Sequence, residues 1–255
     1  MTYRQIRSRS LPAPAPATGA GVSSRPSRRL LLGALAAAVA LTLALVGASL
    51  LSGRGSGNAG ADSIAGGPDI AKLFDGIPQA GPVLGSPTAP VTLVEYADLQ
   101  CPYCAVWARD AFPAVVREYA RTGKLRIVFR GLAFIGPESA TALRTALAAG
   151  RQRKLWNVVE LLYRNQGSEN GGWVTDSFLR ALGREIPGLD AGLMLAQRSL
   201  PGVTRQLEAA KREAELAGVT GTPTFELGPT GGALERLDVG ALDAQSFGEA
   251  LAARL

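Results

Sequence analysis

Val91-Thr92-Leu93-Val94-Glu95-Tyr96-Ala97-Asp98-Leu99-Gln100-Cys101-Pro102-Tyr103-Cys104 joins a β-branched, mostly apolar run to two thiols three residues apart. Val91 to Tyr96 predicts a strand buried at the centre of a sheet, because such strands carry near-continuous apolar runs. From Cys101 a helix is predicted to about Arg121, with Ala108, Ala111, Val115 and Tyr119 on one face. Pro113 has no N–H for the Arg109 carbonyl, so a kink is expected there. Gly123 ends the helix and Leu125–Arg130 reads as a second strand.

Glu138 to Gly218 reads as helical, broken near Gly150, Gly167–Gly172, Gly183–Gly188 and Pro201. A third strand, Thr224–Leu227, turns through Gly228-Pro229-Thr230-Gly231-Gly232 into a fourth, Ala233–Val239. Ala244–Leu255 closes the chain as a helix. The resulting order is β-α-β, a long helical block, then β-β-α. The first two strands should be parallel and the last two an antiparallel hairpin. The fold class is mixed α/β.

The two cysteines carry the candidate chemistry. A helix start offers unpaired N–H groups and a positive dipole end, and both favour a thiolate at Cys101. Cys104, one turn further in on the apolar face, should be the less accessible partner. Pro102 fits the first helical position, where a missing N–H costs nothing. A zinc half-site would need two more ligands, and the chain has no other Cys and no His. A purely structural disulfide would close only a four-residue ring and remove little chain entropy. The absence of histidine also excludes Ser-His-Asp and Cys-His catalysis, and His-ligated haem.

Of the 255 residues, 47% are hydrophobic, enough for a packed core. The net charge of +6 is concentrated at the N-terminus. Seven arginines (Arg4, Arg7, Arg9, Arg25, Arg28, Arg29, Arg54) lie within residues 1–55, which hold no acid. The remaining 20 basic side chains face all 21 acidic ones, so the domain itself is near neutral. A basic tail beside an apolar run is a topology signal, and nucleic-acid binding is not expected.

Residues 1–29 read as a disordered basic tail on the cytoplasmic side. Leu30–Leu51 is 22 residues without a charge. As a helix it would span about 33 Å, enough for a hydrocarbon layer of about 30 Å. It is read as a retained single-pass membrane anchor. A cleaved export signal is the alternative, since Ser27-Arg28-Arg29-Leu30-Leu31 is faintly like a twin-arginine signal and Ala59-Gly60-Ala61 would suit a peptidase. Either reading exports the domain. Residues 52–81 are read as a flexible linker, and 82–255 as the folded domain with its helical insertion at about 137–218.

The sequence resembles the DsbA-like branch of the thioredoxin fold, the extracytoplasmic thiol–disulfide oxidoreductases. The resemblance rests on Val94-Glu95-Tyr96-Ala97-Asp98-Leu99-Gln100, on Cys101-Pro102-Tyr103-Cys104 and on the Leu125–Arg130 strand. Lys154-Leu155-Trp156-Asn157-Val158-Val159-Glu160-Leu161-Leu162 and Gly218-Val219-Thr220-Gly221-Thr222-Pro223-Thr224-Phe225 add to it. It implies a thioredoxin domain interrupted by a helical cap. It also implies that Pro223 is a cis-proline facing the sulfurs, leaving the Thr222 backbone free to pair with a substrate strand.

Glu95 stands where that family keeps a buried acid. Alternation points it away from Val94 and Tyr96, and burial would let it handle the Cys104 proton; a solvated strand-edge carboxylate is the other reading. Asp98 and Glu226 are read as solvated charges near strand ends, and Trp107 and Trp156 as packing. The best-known family member has His where this chain has Tyr103. A phenol supplies no imidazolium charge, which leaves the direction of electron flow open.

The resemblance implies an oxidase of thiol-containing exported proteins, reoxidised by a membrane partner that passes electrons to quinone, with no bound cofactor and no metal. The alternatives are a reductase or isomerase of the same fold, or a non-catalytic module that captures extended peptides.

Overall fold

Strand β3 (Val91–Asp98) shows why its sequence is apolar on almost every position: both of its faces are covered. Leu93 and Ala97 point into the main core, whereas Val94 and Tyr96 pack in a second cluster with Val128, Leu132, Ala214 and Val219. This is the period-two alternation of a strand, with a helical layer on each side. The computed structural model of the protein describes residues 63–254. The tail 1–29, the apolar span 30–51 and the start of the linker lie outside the described residues. Among the described residues, no helix is long and apolar enough to cross a membrane.

Six strands form one sheet in the order β1-β2-β4-β3-β5-β6. They are β1 (Gln79–Ala80), β2 (Val83–Leu84), β3, β4 (Leu125–Leu132), β5 (Thr224–Pro229) and β6 (Glu235–Arg236). Strands β3 and β4 run parallel from Val91 opposite Leu125 to Asp98 opposite Leu132. Strand β5 is antiparallel to β3, with Tyr96 opposite Thr224, and β6 is antiparallel to β5. The last strand is two residues long, not the seven expected from Ala233–Val239. Short edge strands limit the unpaired backbone that a sheet offers to other chains.

The part of the linker expected over 63–81 is instead structured. Helix α1 (Gly67–Phe74) buries Ile70 and Phe74, and β1 and β2 form a hairpin that pairs through β2 with β4. Only a single helical turn of apolar spacing marks α1 in a Gly-rich setting, and β1 and β2 are too short to show alternation.

The helix after the cysteines is also more broken than its pattern suggests. Helix α2 (Pro102–Asp110) ends at Ala111, and α3 (Phe112–Val115) follows. A π-type turn over Val116–Ala120 absorbs an extra residue, with Arg121 N bonded to Val116 O at 2.8 Å. Gly123 (φ +75°) then takes the left-handed position that releases the chain into β4.

The insertion contains five helices: α4 (Pro137–Gly150), α5 (Leu155–Arg164), α6 (Asp176–Arg184), α7 (Ala191–Ala196) and α8 (Pro201–Leu216), with a 3₁₀ turn at Gln197–Ser199. They lie between the breaks expected near Gly150, Gly167–Gly172, Gly183–Gly188 and Pro201. The stretch between Gly188 and Pro201 is a separate short helix, started by the Asp190 side chain accepting from Leu193 N at 2.9 Å. Helix α9 (Ala244–Ala252) completes the core, where Trp107 contacts Phe112, Phe225 and Phe247. Phe112 stacks on Trp156, whose indole N–H donates to Pro82 O at 3.2 Å. Both tryptophans are packing residues.

Candidate active site

Strand β3 ends beneath the two thiols. Cys101 is the N-cap of α2, with extended φ −70° and ψ 120°, and Pro102 occupies the first turn without losing a hydrogen bond. Cys101 N donates to Asp98 O at 3.0 Å, and Cys101 O accepts from Ala105 N at 3.2 Å. These bonds turn the chain sharply from strand to helix and leave the Cys101 side chain at the mouth of the helix. Both cysteines are free thiols. Cys101 is 5% exposed and Cys104 0%. The accessible and the sealed member of the pair are therefore distinct.

Across from α2, the peptide bond between Thr222 and Pro223 is cis. The Cys101 thiol donates to Thr222 O at 3.3 Å, so the Thr222–Pro223 segment directly faces the reactive sulfur. Beside it an open groove of about 320 Å³ is lined by Tyr103, Thr222, Pro223, Leu237, Val239 and Leu242, with Arg236 and Asp238 also on its walls. Tyr103 is 67% exposed and forms part of this groove.

The two thiols are electrostatically unequal. Cys101 is lowered to about 6, chiefly by a hydrogen bond from the Cys104 thiol; burial opposes this, and Thr222 and the N–H groups of Cys104 and Tyr103 assist. Cys104 is pushed well above the ordinary thiol value by burial, then by its bond to Cys101 and by the charges of Cys101 and Glu95. At neutral pH the thiolate is therefore on Cys101, the better nucleophile and leaving group, and the proton stays on Cys104.

Glu95 shares the face of β3 with Leu93 and Ala97 and is 1% exposed. Burial raises its carboxyl from 4.5 to about 8, with the Trp107 indole partly opposing, and its Oε1 has no hydrogen-bond partner. An acid in this state holds a proton at pH 7 and can give it up to a nearby developing thiolate.

Asp98 corrects the reading of a solvated charge: it is fully buried. Its carboxylate accepts from Gln100 N (2.9 Å), Ser139 Oγ (2.6 Å), Phe134 N (2.7 Å) and Ile135 N (3.0 Å). A carboxylate with every lone pair engaged is an anchor. Glu226 is partly buried and accepts from the Tyr96 hydroxyl at 3.0 Å.

A polar brace missed by the sequence reading extends from Asp98. Gln100 donates to Ser139 Oγ at 2.9 Å and accepts from Asn170 N at 2.7 Å, and Gln166 donates to Leu99 O and Cys101 O. Through these bonds the insertion grips the loop that presents Cys101. The residues come from three separated segments, 98–101, 134–139 and 166–170, so no local pattern reveals them.

No group of three or more His, Cys, Asp or Glu side chains placed to hold a metal occurs among the described residues.

The family model described as thioredoxin matches residues 78–230. Disulfide bond formation protein D of Bacillus subtilis (strain 168) is 28% identical over 171 residues, covering 65% of this chain and 72% of that protein. The oxidised crystal structure of BdbD from Bacillus subtilis is alike in fold: its TM-score is 0.59 at 22% identity, over 69% of this chain and 96% of that one. A thioredoxin-like oxidoreductase from Silicibacter pomeroyi DSS-3 has a TM-score of 0.50 at 26% identity, over 72% and 95% of the two chains. With its dithiol at a helix mouth opposite a cis-proline, and a helical insertion within the sheet topology, the chain belongs to the thioredoxin family as a DsbA-like thiol–disulfide oxidoreductase.

Proposed function

We propose that this protein oxidises thiols of exported polypeptides outside the cytoplasm, exchanging its Cys101–Cys104 disulfide for theirs. A substrate thiolate attacks Cys101 Sγ, the Cys101–Cys104 bond breaks, and Cys104 departs with the electron pair. Cys104 then takes a proton from Glu95 and becomes a thiol. A second substrate thiolate attacks the substrate sulfur of the mixed disulfide and releases Cys101 as a thiolate. Two electrons pass from the substrate dithiol to the enzyme. Reoxidation passes them on to a membrane partner linked to quinone.

The observation that carries this reading is the unequal pair: Cys101 lowered to about 6 beside a Cys104 held high. A stabilised Cys101 thiolate favours the reduced enzyme, which makes the disulfide a stronger oxidant. The groove beside Pro223 and the free edge of Thr222 suit an extended peptide bearing the attacking thiol. The arginines ahead of Leu30–Leu51 support export with the N-terminus inside, residues 30–51 as the anchor and the segment before Gly67 as the tether.

A reductase or isomerase of the same fold is favoured by one feature. Tyr103 places an exposed phenol where an imidazolium would further stabilise the thiolate. Equilibrium titration of the Cys101–Cys104 couple against glutathione separates the readings. An oxidase requires a potential well above that of thioredoxin, about −270 mV; a value at or below that figure overturns it.

A further inference from the structure

At the other end of the sheet from the Cys101 groove, the outer edge of β1 borders an open cleft of about 890 Å³. Its walls are the end of α1, the segment leading into β1, and the start of α5 in the insertion. Strand β1 ends the sheet, so its outer side has no neighbouring strand. Gly85 N donates to Pro78 O at 2.9 Å, and Gln79 stands opposite Leu84. Opposed residues in an antiparallel ladder alternate between bonded and unbonded pairs, so Pro78 takes a bonded place and Gln79 an unbonded one. The backbone N–H and C=O of Gln79 therefore point outward, and neither has a partner among the described residues. Such an edge is a template for another extended chain.

Beside that edge the cleft is polar and positive. Asn157, in the first turn of α5, lines it and is 4% exposed. Its Oδ1 accepts from Gln79 Nε2 at 2.9 Å, whereas its Nδ2 has no acceptor among the described residues. A buried amide donor without an acceptor is costly, and a ligand oxygen would satisfy it. Lys72, Arg153 and Lys154 also line the cleft, with Asp75 its only acid. None of the three cations makes an ion pair among the described residues. Arg153 holds its place against its own backbone preference. Its N–H donates to Gly150 O at 3.1 Å, and Lys154 N donates to Ala149 O at 3.0 Å. This pair of bonds closes a helix with a left-handed residue, usually glycine, yet here the residue is an arginine at φ +58°. Strain of this kind is accounted for when the side chain that causes it is used.

We propose that this cleft is a second binding site, which holds an extended acidic segment of another polypeptide by adding it as a strand beside β1. Main-chain bonds to Gln79 align the segment, and Asn157 Nδ2 donates to one of its oxygens. Its Asp or Glu side chains meet Lys72, Arg153 and Lys154. The volume suits a peptide and far exceeds a lone inorganic anion. The chain's own N-terminal residues are the wrong sign for this place: residues 1–62 carry seven arginines and one acid, Asp62. A polypeptide held here leaves the groove beside Pro223 open at the far end of the sheet. No covalent bond forms or breaks in the cleft.

The test is fluorescence anisotropy of a labelled, cysteine-free peptide that alternates Glu with Val and Thr, mixed with the wild-type protein. Binding should saturate and should weaken as salt is raised. The same peptide with Lys for Glu should not bind, and inorganic phosphate at matched ionic strength should not displace the acidic one. Lys72→Glu, Arg153→Glu and Lys154→Glu combined should weaken binding about tenfold or more, with the fold checked by circular dichroism. Arg153→Gly relieves the left-handed backbone, so it should raise the urea midpoint while weakening binding several-fold; this variant decides the matter if the triple one does not fold. Methylating alternate backbone nitrogens of the peptide should also weaken binding several-fold, because it removes the donors that a strand needs. The proposal is overturned if the acidic peptide does not bind saturably, if the Lys peptide binds as well, or if phosphate displaces the peptide. Binding indifferent to Arg153→Gly or to backbone methylation overturns it as well. The peptide carries no thiol, so the result is independent of the direction in which the dithiol exchanges.

Discussion

Replacing Glu95 by Gln should stabilise the protein, and the gain should grow with pH. The folded carboxyl titrates at about 8, against 4.5 when unburied, so between these values the folded chain holds a proton that the unfolded chain has released. Stability therefore falls as pH rises through this window. Linkage converts the shift to a cost of about 1 kcal/mol at pH 5, about 3 kcal/mol at pH 7 and about 4 kcal/mol at pH 8. Gln has nearly the same shape and no charge to desolvate, so Glu95→Gln removes that cost; any packing difference adds a constant. The Cys101 thiolate has the opposite sign: its stabilisation is present above the ordinary thiol value and lost as pH falls through about 6. Both proteins carry it, so it cancels in the difference. The assay is urea unfolding of both proteins in the dithiol form at pH 5 and pH 8. The expected outcome is a stability difference that widens by about 3 kcal/mol between those pH values. Parallel pH dependences would refute the reasoning, because they would mean that Glu95 is not held protonated by burial.

Cys101 should titrate near pH 6, followed by thiolate absorbance or the pH dependence of alkylation, and a midpoint near 9 would contradict the hydrogen bonding described at its sulfur. At pH 7 this shift makes the disulfide more oxidising by about 30 mV, equivalent to about 1.4 kcal/mol, a bias that fades as pH falls through 6. Tyr103→His should lower the Cys101 thiolate further and raise the potential by about 30 mV per unit of thiol shift. Because Tyr103 is exposed, unfolding of the oxidised form should change by no more than about 0.5 kcal/mol, and a potential that does not move would refute the electrostatic argument. Asp98→Ala strands Gln100 N, Phe134 N, Ile135 N and the Ser139 hydroxyl without their acceptor, and should cost about 3 kcal/mol or more in urea unfolding. A loss under about 1 kcal/mol would mean that water replaces the carboxylate.

The parts of the fold written in local pattern were legible. Val91 to Tyr96 advertised a central strand by its mostly apolar run rich in β-branched residues, and Cys101-Pro102 advertised a helix start by its turn chemistry. The cis-Pro223 opposite the thiols was available only through the resemblance of Gly221-Thr222-Pro223-Thr224 to a known family, since X-Pro bonds are trans by default.

What stayed hidden depended on distant partners. Asp98 looked like a charge at a strand end, and nothing near it in sequence reveals that Phe134, Ile135 and Ser139 surround it. Glu160 lies in the apolar helical run Leu155–Leu162, and nothing in that pattern reveals that its carboxyl is buried. Helix α1 escaped because Ile70 and Phe74 are its only fully buried large side chains. The π-type turn after Pro113 reflects a helix forced to add a residue between a proline break and a glycine stop, which periodicity does not encode.

The central claim is that Cys101 alone accepts the substrate sulfur. Acid-quench mass spectrometry of the oxidised protein mixed with a reduced two-thiol peptide tests it directly. The account predicts a transient mixed disulfide mapped to Cys101, decaying to the dithiol protein and an oxidised peptide. An adduct on Cys104, or a protein disulfide that outlasts the peptide without any adduct, would contradict it.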